Sequence, residues 1–198
     1  MELNKAIQSR RSIRKFKDKK PDWRKIIEAI DSARYAPMAG NNFSLNFIMI
    51  DEQEKINKIA EYSSQDFIAQ AKYVVVFLTT PERVINLFGE EKGLTFCKQQ
   101  AGAAMQNFLL KLTEYALSTC WIGYFNEEKI KKLLKIPEEY IIEAIFPIGF
   151  ANEKPKQKKE KDLNNFLYFN EWDNKRMKSS QKIEGRYPEG YGHQIEEN

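Results

Sequence analysis

Residues 73–79 read Tyr73-Val74-Val75-Val76-Phe77-Leu78-Thr79, a continuous apolar run. A strand with one wet face alternates apolar and polar residues. A strand with no polar side belongs inside a layer covered on both faces. Working outward from this run, Leu45–Ile50, Thr119–Tyr124 and Ile141–Phe150 read as further strands. Between and before them lie helical patterns. Residues 2–9 form a short helix with Leu3, Ala6 and Ile7 on one face. A second helix starts at Pro21 or Asp22 and runs to about Tyr35, with Trp23, Ile26, Ile27, Ile30 and Ala33 at helical spacing. Residues 52–62 are helical, and Gln65–Ala71 forms another turn. Residues 81–93 are open between helix and loop. A long helix from about Phe96 to Leu117 carries the stripe Ala101, Ala104, Met105, Phe108, Leu109, Leu112 and Ala116. Asn126 caps a helix over 127–135. Strands are the minority and alternate irregularly with helices, which predicts an α+β fold, a sheet covered by helices.

Composition narrows the chemistry. A chain of 198 residues suits one domain, or one domain with arms, and 42% apolar residues suffice for a core. The longest apolar stretches fall well short of a membrane span. The start, Met1-Glu2-Leu3-Asn4-Lys5, has no apolar signal region, so secretion is not expected. Cys97 and Cys120 make neither a CxxC pair nor a zinc spacing, which suits buried thiols in a reducing cytoplasm. The lone histidine, His193, stands near the C-terminus. Ser-His-Asp, Cys-His and zinc chemistry are therefore poor fits, and no metal site is expected. An enzyme this poor in histidine more plausibly takes its chemistry from an organic cofactor. No GxGxxG follows a strand, and no GxxxxGK[ST] is present. The net charge of +4 suits an anionic ligand without demanding nucleic acid.

Four segments carry candidate chemistry. Arg10-Arg11-Ser12-Ile13-Arg14-Lys15-Phe16 packs four cations and a hydroxyl into six residues. If extended, it points Arg10, Ser12 and Arg14 the same way, a good arrangement for a dianionic phosphate. A solvated basic face would read the same. Ala36-Pro37-Met38-Ala39-Gly40-Asn41-Asn42 is a small-residue turn whose backbone a flat ligand could approach. Gln100-Ala101-Gly102-Ala103-Ala104-Met105-Gln106-Asn107 puts a glycine inside a helix, which suggests close packing, in the core or at a dimer seam. Leu117-Ser118-Thr119-Cys120-Trp121-Ile122-Gly123 turns from helix to strand and exposes backbone amides.

In this order, RRSIR, APMAGN, GAAMQN, TCWIG and the PIGF strand end resemble the nitroreductase superfamily, over about residues 3–160. The resemblance implies a central, mostly antiparallel sheet flanked by helices in an intertwined homodimer, with FMN at the subunit interface. It places Arg10, Arg11, Ser12 and Arg14 on the FMN phosphate, joined by Lys158 or Lys159 after the PIGF strand. It places Pro37, Met38, Ala39 and Asn41 of the partner, and Leu117, Ser118 and Thr119, beside the flavin ring. The flavin carries the chemistry and no protein residue is catalytic. Hydride passes from NADH or NADPH to flavin N5, then to a small acceptor such as a nitroaromatic or quinone, in ping-pong order. Residues 1–160 form the FMN-binding domain. Residues 161–198 form an arm whose Phe166, Leu167, Tyr168, Phe169 and Trp172 pack on the partner. The end from Ser179 is a candidate for disorder, and Ile183-Glu184-Gly185-Arg186 resembles an engineered protease site.

The chain departs from the family pattern at the ring end. Phe43, Ser44 and Leu45 stand where Gln, Pro and Trp are common, Met38 where serine is, and Ser118 where glycine is. These departures keep open a flavin protein of the same fold with other chemistry, a dehalogenase, ring-cleaving enzyme or FMN carrier. A nucleic-acid module using Arg10–Lys15 and Lys154–Lys161 is the remote alternative, since acidic residues break up its second basic run.

Overall fold

The run 73–79 forms strand β2 (Tyr73–Thr79), and every one of its residues is buried. The structure is a computed structural model and describes residues 1–156, 159 and 161–176. These fall into two units, Met1–Lys156 and Gln157–Asn198. In the first, β2 pairs antiparallel with β1 (Leu45–Ile50) on one side and β4 (Ile141–Gly149) on the other. A two-residue β3 (Ser118–Thr119) joins the far edge of β4, giving the order β1-β2-β4-β3.

Alternation explains why β2 needs no polar side. Successive side chains point to opposite faces, and both faces are covered. Val75 and Phe77 enter a core with Ile26 and Ala33 of α2 (Trp23–Ala33) and Ala104 and Phe108 of α5 (Glu90–Glu114). Val74, Val76 and Leu78 enter a second core with Ile56 and Ile59 of α3 (Gln53–Tyr62) and Ile130 of α6 (Glu127–Leu134). Phe77 is the aromatic centre of the first, with ring centroids 5.1 Å from Phe108 and 5.2 Å from Phe146.

The expected elements are present, with instructive shifts. Asn126 caps α6 as expected, its Oδ1 accepting from Lys129 N–H at 2.9 Å. Residues 81–93 form α4 (Glu82–Phe88), a reversal at Gly89 and the first turn of α5, so the long helix starts earlier than its apolar stripe. The glycine that permits close packing is Gly93, where an added Cβ would lie 2.6 Å from Ile85 Cα of α4. Gly102 has nothing within 4 Å of such a Cβ. The helix stops because Ala116 turns left-handed (φ 56°). Ala116 N–H then donates to Thr113 O at 3.0 Å and Leu117 N–H to Leu112 O at 2.9 Å. Ala116 is thus exposed in the stop signal rather than part of the buried stripe. The strand expected over 119–124 is interrupted: after β3, only Ile122 pairs again, with Ile145. On α1 (Leu3–Ser9) and α2 only part of each apolar face is covered. Ala6 and Ile26 are buried, whereas Leu3 (65%), Ile7, Trp23 (49%) and Ile27 stand exposed.

In the second unit, Asp162 caps a single turn, Leu163–Asn165, through Asn164 N–H at 3.0 Å. Tyr168 and Trp172 stack with centroids 4.5 Å apart, and Lys175 Nζ lies 3.8 Å from the Tyr168 ring centre. Trp172 is 83% exposed, and Leu163 and Phe166 are also exposed. Lys158, His193, Ile183–Arg186 and the stretch from Ser179 lie outside the described residues. Among the described residues no helix is long and apolar enough to cross a membrane.

Candidate functional site

The arginine-rich segment leaves α1 extended, with Arg10 at φ −57°, ψ 127°. It then runs beside the sheet edge. Ser12 bridges Thr119 in parallel, Ile13 N–H donates to Thr119 O at 3.0 Å, and Lys17 N–H donates to Phe150 O at 2.8 Å. Asn152 N–H returns a bond to Lys15 O at 2.8 Å. Ile13 and Phe16 point inward and are buried, while Ser12 and Arg14 are exposed. Phe16 lies across Gly149, the glycine of the PIGF strand end. An added Cβ there would be 2.9 Å from Phe16 Cδ1, so this glycine is what lets the segment close on the sheet.

Arg10, Ser12 and Arg14 all act on the Cys120 thiol. Burial pushes that thiol up, while Arg14, the Ser12 hydroxyl and Arg10 pull it back down. Arg11 folds back to donate to Gln8 O at 2.5 Å and Arg10 O at 2.8 Å. Among the described residues none of Arg10, Arg11 and Arg14 forms an ion pair. A carboxylate is nevertheless close. Glu153 Oε1 accepts from Arg14 N–H at 2.5 Å and Lys15 N–H at 3.1 Å, pinning the backbone. Glu153 carried no signal in the sequence, because it lies far along the chain from the loop it holds.

A cavity of about 160 Å³ opens here, lined by Arg10, Arg11, Ile13, Leu117, Ser118 and Thr119 among others. Two segments far apart in sequence thus meet around one space. Thr119 is 5% exposed, and its buried Oγ1 has no hydrogen-bond partner among the described residues. Buried hydroxyls are usually partnered. Two guanidinium groups, free donors and an orphaned hydroxyl fit a phosphate. A larger cavity, about 380 Å³, has Ile48, Lys55, Leu133 and Lys135 among its lining and shares no residue with this site.

Pro37, Met38, Ala39 and Asn41 do not line the arginine cavity. They form a separate turn, Ala39–Asn41, in which Gly40 (φ 56°) and Asn41 (φ 57°) are both left-handed. Met38 packs against the α2–α5 core. Phe88 of α4 closes over Gly40, with Cζ 3.2 Å from an added Cβ. Ala39 N–H donates to Gln100 Oε1 of α5 at 3.1 Å. Lys159 is exposed and belongs to the second unit.

The family model described as the nitroreductase family matches residues 7–69 and 59–150, which include every one of these segments before the tail. The chain belongs to the nitroreductase family. A protein of Methanothermobacter thermautotrophicus, provisionally named an NADH dehydrogenase/NAD(P)H nitroreductase, is 28% identical over 159 residues, 78% of this chain and 80% of that one. An iodotyrosine deiodinase of Thermotoga neapolitana is 23% identical over 171 residues, 78% of this chain and 91% of the other. An FMN-dependent nitroreductase from Clostridium difficile R20291 shares the fold, with a TM-score of 0.73 and 24% identity over 84% of this chain and 98% of that one.

Proposed function

We propose that this nitroreductase-family chain is an FMN-dependent oxidoreductase that uses NAD(P)H to reduce a small acceptor. The observation that carries the reading is the cation-lined cavity beside Thr119, where, among the described residues, the Arg10 and Arg11 guanidinium groups lack carboxylate partners and the buried Thr119 hydroxyl lacks a hydrogen-bond partner. Arg10 and Arg11, which line the cavity, hold the FMN phosphate together with Ser12 and Arg14 of the same loop. Each charge-assisted bond is worth about 1.5–3 kcal/mol.

A cavity of about 160 Å³ is smaller than the roughly 300 Å³ at which small-molecule pockets begin. One chain therefore holds the anionic end of the ligand, and the rings extend onto a second copy. Leu117, Ser118 and Thr119 of one copy, and Pro37, Met38, Ala39 and Asn41 of the other, wall in the rings and exclude water. The exposed apolar side chains of Leu3, Ile7, Trp23 and Ile27 support a homodimer, and so does the open face at Gly102. The arm from residue 161 packs on the partner through Phe166 and Trp172, and residues 1–160 form the flavin-binding domain. Bound FMN supplies the redox chemistry, taking hydride from NADH or NADPH and delivering electrons to a nitroaromatic, a quinone or a similar small molecule. Two buried free thiols suit a reducing cytoplasm.

The test is the absorbance spectrum of the purified protein before and after NADH or NADPH is added without oxygen. A yellow protein that bleaches supports the reading. A colourless protein that refuses added FMN overturns it. A second reading, reductive dehalogenation of a halogenated aromatic, is favoured by the similarity to the deiodinase and by the altered stretch Phe43-Ser44-Leu45. It predicts a yellow protein with negligible pyridine-nucleotide turnover that releases halide once its flavin is reduced chemically.

A further inference from the structure

Gln100 is a polar side chain in the middle of an apolar helix face, 4% exposed. Both ends of its amide are used. Oε1 accepts from Ala39 N–H at 3.1 Å, and Nε2 donates to Ser44 Oγ. Ser44 is itself buried, with its hydroxyl 3.9 Å from Cys97 Sγ. The turn it reaches is costly. Gly40 and Asn41 are left-handed in succession, and every other hydrogen bond of residues 38–42 stays within the turn. Asn41 N–H donates to Met38 O, Asn42 N–H to Ala39 O, and Asn42 Nδ2 to Gly40 O. Among the described residues, the bond to Gln100 is therefore the turn's one hydrogen-bonded tether to the rest of the chain.

The tether's second partner is the Ser44 hydroxyl, which holds the Gln100 amide in one orientation. Fixing the amide matters, because a free Gln100 would populate several rotamers and hold Ala39 only part of the time.

We propose that Gln100, oriented by Ser44, is a positioning residue that sets the conformation of the Met38–Asn42 turn and so the wall presented to the flavin ring. This rests on the FMN reading above, and the test separates the two. FMN and riboflavin differ only in the phosphate, so riboflavin affinity reports the ring end, and the ratio of the two affinities reports the phosphate end. Both dissociation constants are measured by flavin fluorescence quenching, with the visible circular dichroism of the bound flavin alongside. Gln100→Leu should weaken FMN and riboflavin by the same factor, about tenfold for a lost buried hydrogen bond, and change the dichroism. Gln100→Glu, which keeps an acceptor for Ala39 N–H, should recover most of the loss. Arg10→Glu should weaken FMN and leave riboflavin alone. If Gln100→Leu does not fold, Ser44→Ala replaces it, with the same pattern at a few-fold. A native chain that binds neither flavin brings down the FMN reading and this inference with it. A native chain that binds both, with riboflavin affinity and dichroism unmoved in Gln100→Leu or in its replacement Ser44→Ala, overturns the positioning role alone.

Discussion

Two loops carry the candidate site, and they are built differently. The loop over residues 10–17 exchanges backbone bonds with Thr119, Phe150 and Asn152, and the Glu153 and Gln70 side chains add bonds to its amides. The turn over residues 38–42 is held from outside by two side chains, the Gln100 amide below and the Phe88 ring above. A loop held by its main chain keeps its shape whatever its outward side chains are, so those are free to be chosen for a ligand. A turn held by side chains moves when its supports change.

The contrast can be broken at several points. The largest effect is expected from Arg10→Glu. Losing one charge-assisted pair and adding repulsion should cost about 3–4 kcal/mol, or roughly a 100- to 1,000-fold loss of FMN affinity, while the thermal midpoint hardly moves. A large fall in that midpoint would mean that the loop depends on its side chains after all. Next is Gly149→Val, which drives a side chain into the Phe16 ring. Overpacking of this kind costs about 1–3 kcal/mol, and here stability and FMN affinity should fall together, read by denaturant melts and flavin titration.

Backbone strain gives a smaller, two-signed pair. Gly40→Ala puts a side chain on a left-handed residue (φ 56°) beneath Phe88, at a cost of about 1–2 kcal/mol. Ala116→Gly removes the same penalty from the left-handed helix stop, less the entropy that glycine adds to the unfolded chain. It should raise the melting temperature by about 2–4 °C for each kcal/mol recovered.

The smallest effect uses the thiol behind each loop. Burial pushes both Cys97 and Cys120 up. A raised thiol holds its proton more tightly in the folded state. Its share of stability is therefore complete below the ordinary thiol pKa of about 8.5 and is lost as pH rises above it. Only Cys120 also feels Arg14 and Arg10 pulling it down. Saturating FMN should cancel that pull and slow alkylation of Cys120 near pH 9, leaving Cys97 unchanged as measured by mass spectrometry. Equal slowing at both would argue against a phosphate beside Arg10 and Arg14.

Much of this was legible beforehand. The unbroken apolar run gave β2 its place at the centre, although antiparallel neighbours surround a strand whose composition is more typical of parallel sheets. The extended backbone of the arginine segment was legible too, although the cavity beside it is lined by Arg10 and Arg11 and not by the alternating Ser12 and Arg14. Hidden were features that depend on contacts between distant residues. The close-packed glycine is Gly93 rather than Gly102 because α4 folds back onto α5, and local composition at residues 81–93 carries no record of that crossing. Ala116 continues a helical stripe by spacing, yet the chain turns there, and only tertiary context overrides its strong helix propensity. Glu153 and Gln100 act on backbone groups, whose positions no side-chain pattern announces.

The bond from Glu153 to Arg14 and Lys15 spans almost the whole first unit. A ribosome adding roughly 5–20 residues per second needs on the order of 7–28 s to travel from one end of that contact to the other. For all of that interval the arginines wait without the anchor that fixes their loop. In a living cell this loop is therefore among the last parts of its unit to be finished, and a nascent chain stalled short of residue 153 would display its cations with no anchor to aim them.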